Sequence, residues 1–134
     1  MNKNIFVNLP VKDLDRSKAY FAGLGYTFNS QFTDETAACM VISENIFAML
    51  ITHARFADFT VKAIADANET TEVLVALSCE SREEVAKIAD AAMAAGATEA
   101  KPPQDYGFTV VRSLNDLDGH IWEYMWMDPA HVQG

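Results

Sequence analysis

The chain has 134 residues and a mass of 14.8 kDa, one domain's worth, with no room for a second full-sized one. Half of the residues are hydrophobic and 22% are charged, which supplies a buried core and argues against wholesale disorder. Lys plus Arg number 10 against 19 for Asp plus Glu, a formal charge of −9; such a surface repels phosphate backbones and anionic lipid, so nucleic acid is not an expected partner.

In chain order, Ile5-Phe6-Val7-Asn8-Leu9-Pro10-Val11 opens with the period of two that marks a half-buried strand, and Pro10 suggests an edge or a strand end. Asp13-Leu14-Asp15 offers helix caps. Ala19, Tyr20 and Leu24 give a short apolar face before Gly23 and Gly25 stop the helix. Strand-like runs follow at residues 26–32, 36–43 and 46–52, the last two joined by Ser43-Glu44-Asn45 as a tight hairpin. Residues 53–70 lose the pattern, apart from a short helix that Thr60 could cap. Residues 72–79 read as a strand leading into the capping box Ser81-Arg82-Glu83-Glu84. Val85, Ile88, Ala89, Ala92 and Met93 then form one helix face, closed by Gly96. A turn at Pro102-Pro103, a strand at 108–114, a turn at Asp116-Leu117-Asp118-Gly119 and a strand at 121–127 complete the reading.

No apolar stretch approaches the roughly 18 residues of a membrane span. Asn8 and Pro10 come too early for the core of a leader sequence that starts at Met1. Cys39 and Cys79 sit in apolar segments without Cys-x-x-Cys spacing, so neither a zinc finger nor a disulfide scaffold is encoded, and a cytoplasmic setting is expected. The order strand, helix, three strands occurs twice. Val7-Asn8-Leu9-Pro10-Val11 lies over Val75-Ala76-Leu77-Ser78-Cys79, and residues 37–51 over residues 108–125, the order expected of an internal duplication.

Residues 7–17, Leu24-Gly25 and above all Asp116-Leu117-Asp118-Gly119-His120-Ile121-Trp122-Glu123 resemble the vicinal oxygen chelate superfamily. That group contains glyoxalase I, bleomycin-resistance proteins and extradiol dioxygenases. The resemblance covers nearly the whole chain and is closest to the bacterial subgroup labelled predicted lactoylglutathione lyases. It implies an α+β fold of two βαβββ modules forming a cupped mixed sheet with helices on the outer face. One domain over 1–134 would hold module 1 at about 4–53, a connecting segment at 54–70 and module 2 at about 71–128.

Metal-dependent members of that superfamily take ligands from four strands. Here the two histidine positions fall on Phe6 and Leu74, and the first-module carboxylate falls among Ala48, Met49 and Leu50. Only the last ligand is present, as Glu123. Hydrocarbon side chains have no lone pair for a divalent ion, so no metal and no cofactor is expected at these positions. Strand alternation sets Phe6, Asn8, Leu50, Thr52, Glu72, Leu74, Glu123 and Met125 on the face away from the helices. Phe6, Asn8, Leu50, Thr52, Leu74, Glu123 and Met125 are therefore the expected ligand-binding residues. Arg112, on the neighbouring strand, is a potential partner for Glu123.

The remaining chemistry-bearing residues read more plainly. His53, His120 and His131 are scattered on turns, the two cysteines read as small buried hydrophobes, and Trp122, Tyr124 and Trp126 read as core under the helices. No serine has the Gly-x-Ser-x-Gly setting of a hydrolase, and there is no Gly-rich phosphate loop. The expected function is binding of a small, partly apolar molecule, in the manner of drug-sequestering resistance proteins, by a homodimer. The alternative is a metal-dependent lyase or dioxygenase acting through Glu123 with atypical ligands such as His53, Glu72 or groups from a dimer partner.

Overall fold

The computed structural model describes residues 3–131; Met1 and Asn2, the start of the segment weighed above as a leader, lie outside the described residues. The fold is α+β, with two compact units, the first running to Asp66 and the second starting at Ala67. Each has the order βαβββ.

In the first unit, β1 (Ile5–Val11) leads into α1 (Leu14–Gly23), then β2 (Thr27–Asn29), β3 (Ala37–Ser43) and β4 (Ile46–Thr52). The strands lie in the order β1-β4-β3-β2, with β1 parallel to β4 and the other pairs antiparallel. Pro10 is accommodated because β1 is an edge strand. The Asp13 carboxylate caps α1 by accepting from the Arg16 N–H at 3.1 Å, and Gly25, at φ +102°, turns the chain back toward β2. The buried face of α1 is Leu14, Ser17, Tyr20 and Phe21, with Ala19 exposed, contrary to expectation. Tyr20 and Phe21 make an edge-on aromatic pair at 4.8 Å. The helix lies against β3 and β4, whose inward residues Ala38, Met40, Ala48 and Leu50 are fully buried.

The second unit repeats the plan: β5 (Leu74–Ser78), α3 (Arg82–Ala94), β6 (Thr98–Asp105), β7 (Thr109–Asn115) and β8 (Ile121–Met127), in the order β5-β8-β7-β6. Its helix starts as the sequence predicts, with Ser81 accepting from the Glu84 N–H at 3.0 Å. The Glu84 carboxylate reaches one residue past the cap, to the Glu80 N–H at 3.1 Å. Val85, Ala89 and Ala92 are buried against β7 and β8, whose inward residues Leu114, Trp122 and Tyr124 are almost fully enclosed. Met93, placed on that face by the sequence, is exposed in the last turn.

Three further expectations are corrected. The run at 26–32 stays a strand only to Asn29, whose side chain accepts from the Gln31 N–H at 2.9 Å and bends the chain into a 3₁₀ turn, Ser30–Phe32. The short helix of the connecting segment, α2 (His53–Phe56), is capped by Thr52; Thr60 stands after the 3₁₀ turn that follows. Pro102-Pro103 is no turn but lies inside β6. A proline has no N–H to give a ladder. It is tolerated there because β6 is an edge strand and its pairing with β7 slips twice, between Glu99 and Lys101 and between Lys101 and Gln104.

Candidate functional site

Cross-strand register settles which residues share a face. In the second unit, Ala76 pairs with Glu123, Glu123 with Ser113, and Ser113 with Lys101. These four form one row across the sheet, on the face opposite Trp122 and Tyr124. Leu74, Ile121 and Met125 share that face, one step along their strands. The equivalent row of the first unit is Asn8, Met49, Cys39 and Asn29, flanked by Phe6 and Phe47, whose rings stack at 4.8 Å.

This register corrects two of the expected site residues. Leu50 pairs with Leu9 and Thr52 with Val11, so both point to the helix side of their sheet, and Leu50 is wholly buried there. The residues of β4 that share a face with Phe6 and Asn8 are Phe47, Met49 and Ile51. Phe6, Asn8, Leu74, Glu123 and Met125 do lie on the faces assigned to them, Phe6 at 47% and Leu74 at 52% exposure.

Glu123 is the chemical centre of its row. Its side chain is 19% exposed, and its Oε2 accepts a hydrogen bond from the Ser113 hydroxyl at 2.9 Å. The Lys101 ammonium stands 3.9 Å from the same oxygen. Arg112 is not its partner: it pairs with Tyr124 across the sheet, points to the other face and forms an ion pair with Glu99. Among the described residues both interactions of Glu123 fall on Oε2, which leaves Oε1 for a donor brought by a ligand. The carboxylate is held by a buried hydroxyl and faced by a half-exposed cation, an arrangement suited to gripping a polar group.

The Asp116-to-Gly119 turn positions this row. The Asp116 carboxylate is buried and accepts from the Asp118 N–H at 2.9 Å, the His120 N–H at 3.0 Å and the Trp122 indole N–H at 2.9 Å. Burial pushes its pKa up, against the opposing pull of His120 and the indole hydrogen bond. Gly119 sits at φ +89°, and a Cβ there would meet Asn68 Oδ1 at 2.5 Å, so the turn requires glycine on both counts. The family-like motif thus acts as a staple that sets the β7–β8 register and delivers Glu123 opposite Ser113. Sequence reasoning missed Ser113 and Lys101 as its neighbours. Ser113 was within reach of a reading: it and Glu123 are equidistant from Asp118, the middle of the turn.

At the positions where the resemblance implies metal ligands, Phe6 and Leu74 carry only hydrocarbon, β4 offers Ala48, Met49 and Leu50, and the Glu123 carboxylate already accepts from Ser113, a set with a poor fit to a divalent ion. His53 and Glu72 are exposed, His131 stacks on Phe108 at 4.1 Å, and among the described residues no three His, Cys, Asp or Glu side chains converge. Cys39 and Cys79 are free and buried; burial raises both thiol pKa values, that of Cys79 to about 11 with a contribution from Glu84. No described helix is long and apolar enough to cross a membrane.

Residues 3–43 match the family described as bleomycin resistance protein-like N-terminal. No curated protein matches the chain. Among solved structures it is similar to a hypothetical protein from S. aureus, at 24% identity over 94% of this chain and 95% of that one, with a TM-score of 0.78. It is similar also to a glyoxalase/bleomycin resistance protein/dioxygenase family enzyme from Burkholderia phytofirmans PsJN (16% identity, 94% and 99% covered, TM-score 0.76). A third is the fosfomycin resistance protein FosX from Listeria monocytogenes (17% identity, 100% and 95% covered, TM-score 0.69). In fold the chain is therefore similar to the glyoxalase/bleomycin resistance/dioxygenase proteins, and over residues 3–43 its sequence matches the bleomycin resistance protein-like N-terminal family.

Proposed function

We propose that this protein is a cytoplasmic, metal-independent binder of a small, partly apolar molecule, held on the helix-free faces of its sheets with Glu123 as the polar anchor. The observation that carries this reading is the half-enclosed Glu123 carboxylate, set among Leu74, Ile121 and Met125 with Oε1 open. A carboxylate kept among apolar side chains gains from a donor that a ligand brings. A fragment screen by NMR against the wild type and Glu123→Gln tests it. The variant keeps the shape and should bind donor-bearing fragments about 1.5–3 kcal/mol more weakly. Equal binding by both proteins removes Glu123 from the anchoring role.

Absence of metal dependence is tested separately. Nickel, zinc, manganese or ferrous iron at a hundredfold excess over a real site's Kd would add about 2.7 kcal/mol of stability. No shift is expected, and a chelator-reversible one overturns the metal-independent reading.

We also propose a homodimer. Exposed apolar pairs stand at the starts of both edge strands, Ile5-Phe6 opening β1 and Val73-Leu74 leading into β5, just where the duplication superimposes them. Such repeated apolar edges suit a self-complementary contact. Sedimentation at micromolar concentration should give twice the chain mass; the mass of one chain refutes it.

A further inference from the structure

Lys101 reaches the Glu123 row through an irregularity of β6. Glu99 pairs with Leu114, and in a regular ladder the next residue, Ala100, would stand opposite Ser113. The ladder instead skips Ala100 and sets Lys101 against Ser113. A one-residue bulge of this kind reverses the facing of everything after it. Without it, Lys101 would stand opposite Arg112, on the helix-side face that carries the Arg112–Glu99 ion pair. The second slip, across Pro102-Pro103, places Gln104 opposite Val111, on the same face as Lys101. The bulge thus moves an ammonium from a face that already holds the Arg112 cation to the one that carries the Glu123 carboxylate.

The exposures along the row are graded. Ser113 is buried, Glu123 is 19% exposed and Lys101 is 50% exposed. At 3.9 Å the ammonium is near enough to balance the carboxylate's charge but beyond a direct hydrogen bond. Its donors stay free for an incoming group, while Glu123 Oε1 stays free as an acceptor. The site therefore offers a cation and an anion side by side, and a purely cationic guest would meet the repulsion of Lys101.

We infer that Lys101 is the specificity residue of this site and that the ligand is amphoteric in its polar part: an anionic group for Lys101 next to a hydroxyl or amine for Glu123, as in a small hydroxy or amino acid with an apolar tail. This rests on the proposed binding role of the Glu123 face, and it adds an anionic group to the donor-bearing guest proposed there.

The test uses three probes of similar size, 2-hydroxyhexanoate, hexylammonium and 1,2-hexanediol, titrated by NMR into the full chain, its Lys101→Met variant and Glu123→Gln. Lys101 is half exposed, so Lys101→Met should keep the fold, as circular dichroism will show. The hydroxy acid should bind the wild type most tightly and lose about tenfold in Lys101→Met, the scale of one charge-assisted hydrogen bond. Hexylammonium should bind Lys101→Met better than the wild type. Hexylammonium or the diol binding the wild type best, with Lys101→Met without effect, overturns the role of Lys101 while leaving Glu123 as an anchor. Failure of all three probes to perturb the Glu123 face overturns both readings.

Discussion

In the first unit the bulk of the interior hangs from the helix: Tyr20 and Phe21 of α1 fill the space over Ala38 and Ala48 of the sheet. In the second the sheet carries it, with Trp122 and Tyr124 of β8 rising against Ala89 and Ala92 of α3. Ala48 and Trp122 occupy equivalent places in the two registers, as do Leu50 and Tyr124. One backbone plan is filled by opposite distributions of large and small side chains, because close packing constrains the summed volume between layers and not which layer supplies it. The opposite faces diverge as well. Where the second unit places Glu123, Ser113 and Lys101, the first places Met49, Cys39 and Asn29. The duplication has preserved topology and register and left the chemistry of each row free to differ.

The packing half of this comparison breaks most visibly by truncation. Phe21→Ala and Trp122→Ala should each cost about 3–5 kcal/mol, measured by urea denaturation, since each removes an almost fully buried aromatic from its unit. Trp122→Ala should be the worse of the two, because it also strips the indole donor from the buried Asp116 carboxylate. The reverse change, Ala48→Leu or Ala89→Leu, adds volume to the small layer and should cost about 1–3 kcal/mol. If either proves neutral, the reciprocal filling is looser than the burial implies.

The two rows are separated by a pair of double-mutant cycles. Ser113→Ala combined with Glu123→Gln should show a coupling of about 1 kcal/mol, the value of the hydroxyl–carboxylate bond. Cys39→Ala with Met49→Leu should show close to none. Equal couplings would make the polar row an ordinary packing contact.

Ionisation sharpens the contrast at the turns. The raised pKa of Asp116 means that, between pH 3.8 and its folded value, the folded protein holds more protons than the unfolded chain. Its contribution to stability is therefore complete below pH 3.8 and is lost as pH rises through that window. Asp34, in the first unit, is shifted down by its hydrogen bonds from Thr36, so its contribution is present above pH 3.8 and lost as pH falls through its folded value. Stability of Asp116→Ala and Asp34→Ala relative to the wild type should consequently drift with acid in opposite directions. Cys79 adds a high-pH limit: with its thiol at about 11, stability should decline as pH rises from 9.0 toward that value. Alkylation of Cys79 should accelerate over the same range.

The elements with strong local signals were legible in the sequence. β1 and β4 have the bounds that periodicity and the Ser43-Glu44-Asn45 joint indicate, and Ser81 caps α3 as its spacing to Glu84 requires. The facing of Leu50 and Thr52 was not legible, because β4 reads Ile-Phe-Ala-Met-Leu-Ile before Thr52 and has no polar residue to mark one side. Only the pairing with β1 fixes it. β6 was hidden by Pro102-Pro103, which signal a turn unless the strand is known to be an irregular edge. Glu123 could be picked from its motif, but Lys101 depended on a bulge that no local pattern announces.

The irregular course of β6 also bears on how the protein behaves in a crowded solution. An edge strand is a template on which a foreign strand can add, and growth of that kind needs a straight run of free N–H and C=O groups. On β6 two successive prolines delete donors and two register slips break the run. The outer rim of the second sheet is thereby closed to strand addition and amyloid-like growth, and the chain keeps this protection in the same eight residues that supply the site with its ammonium.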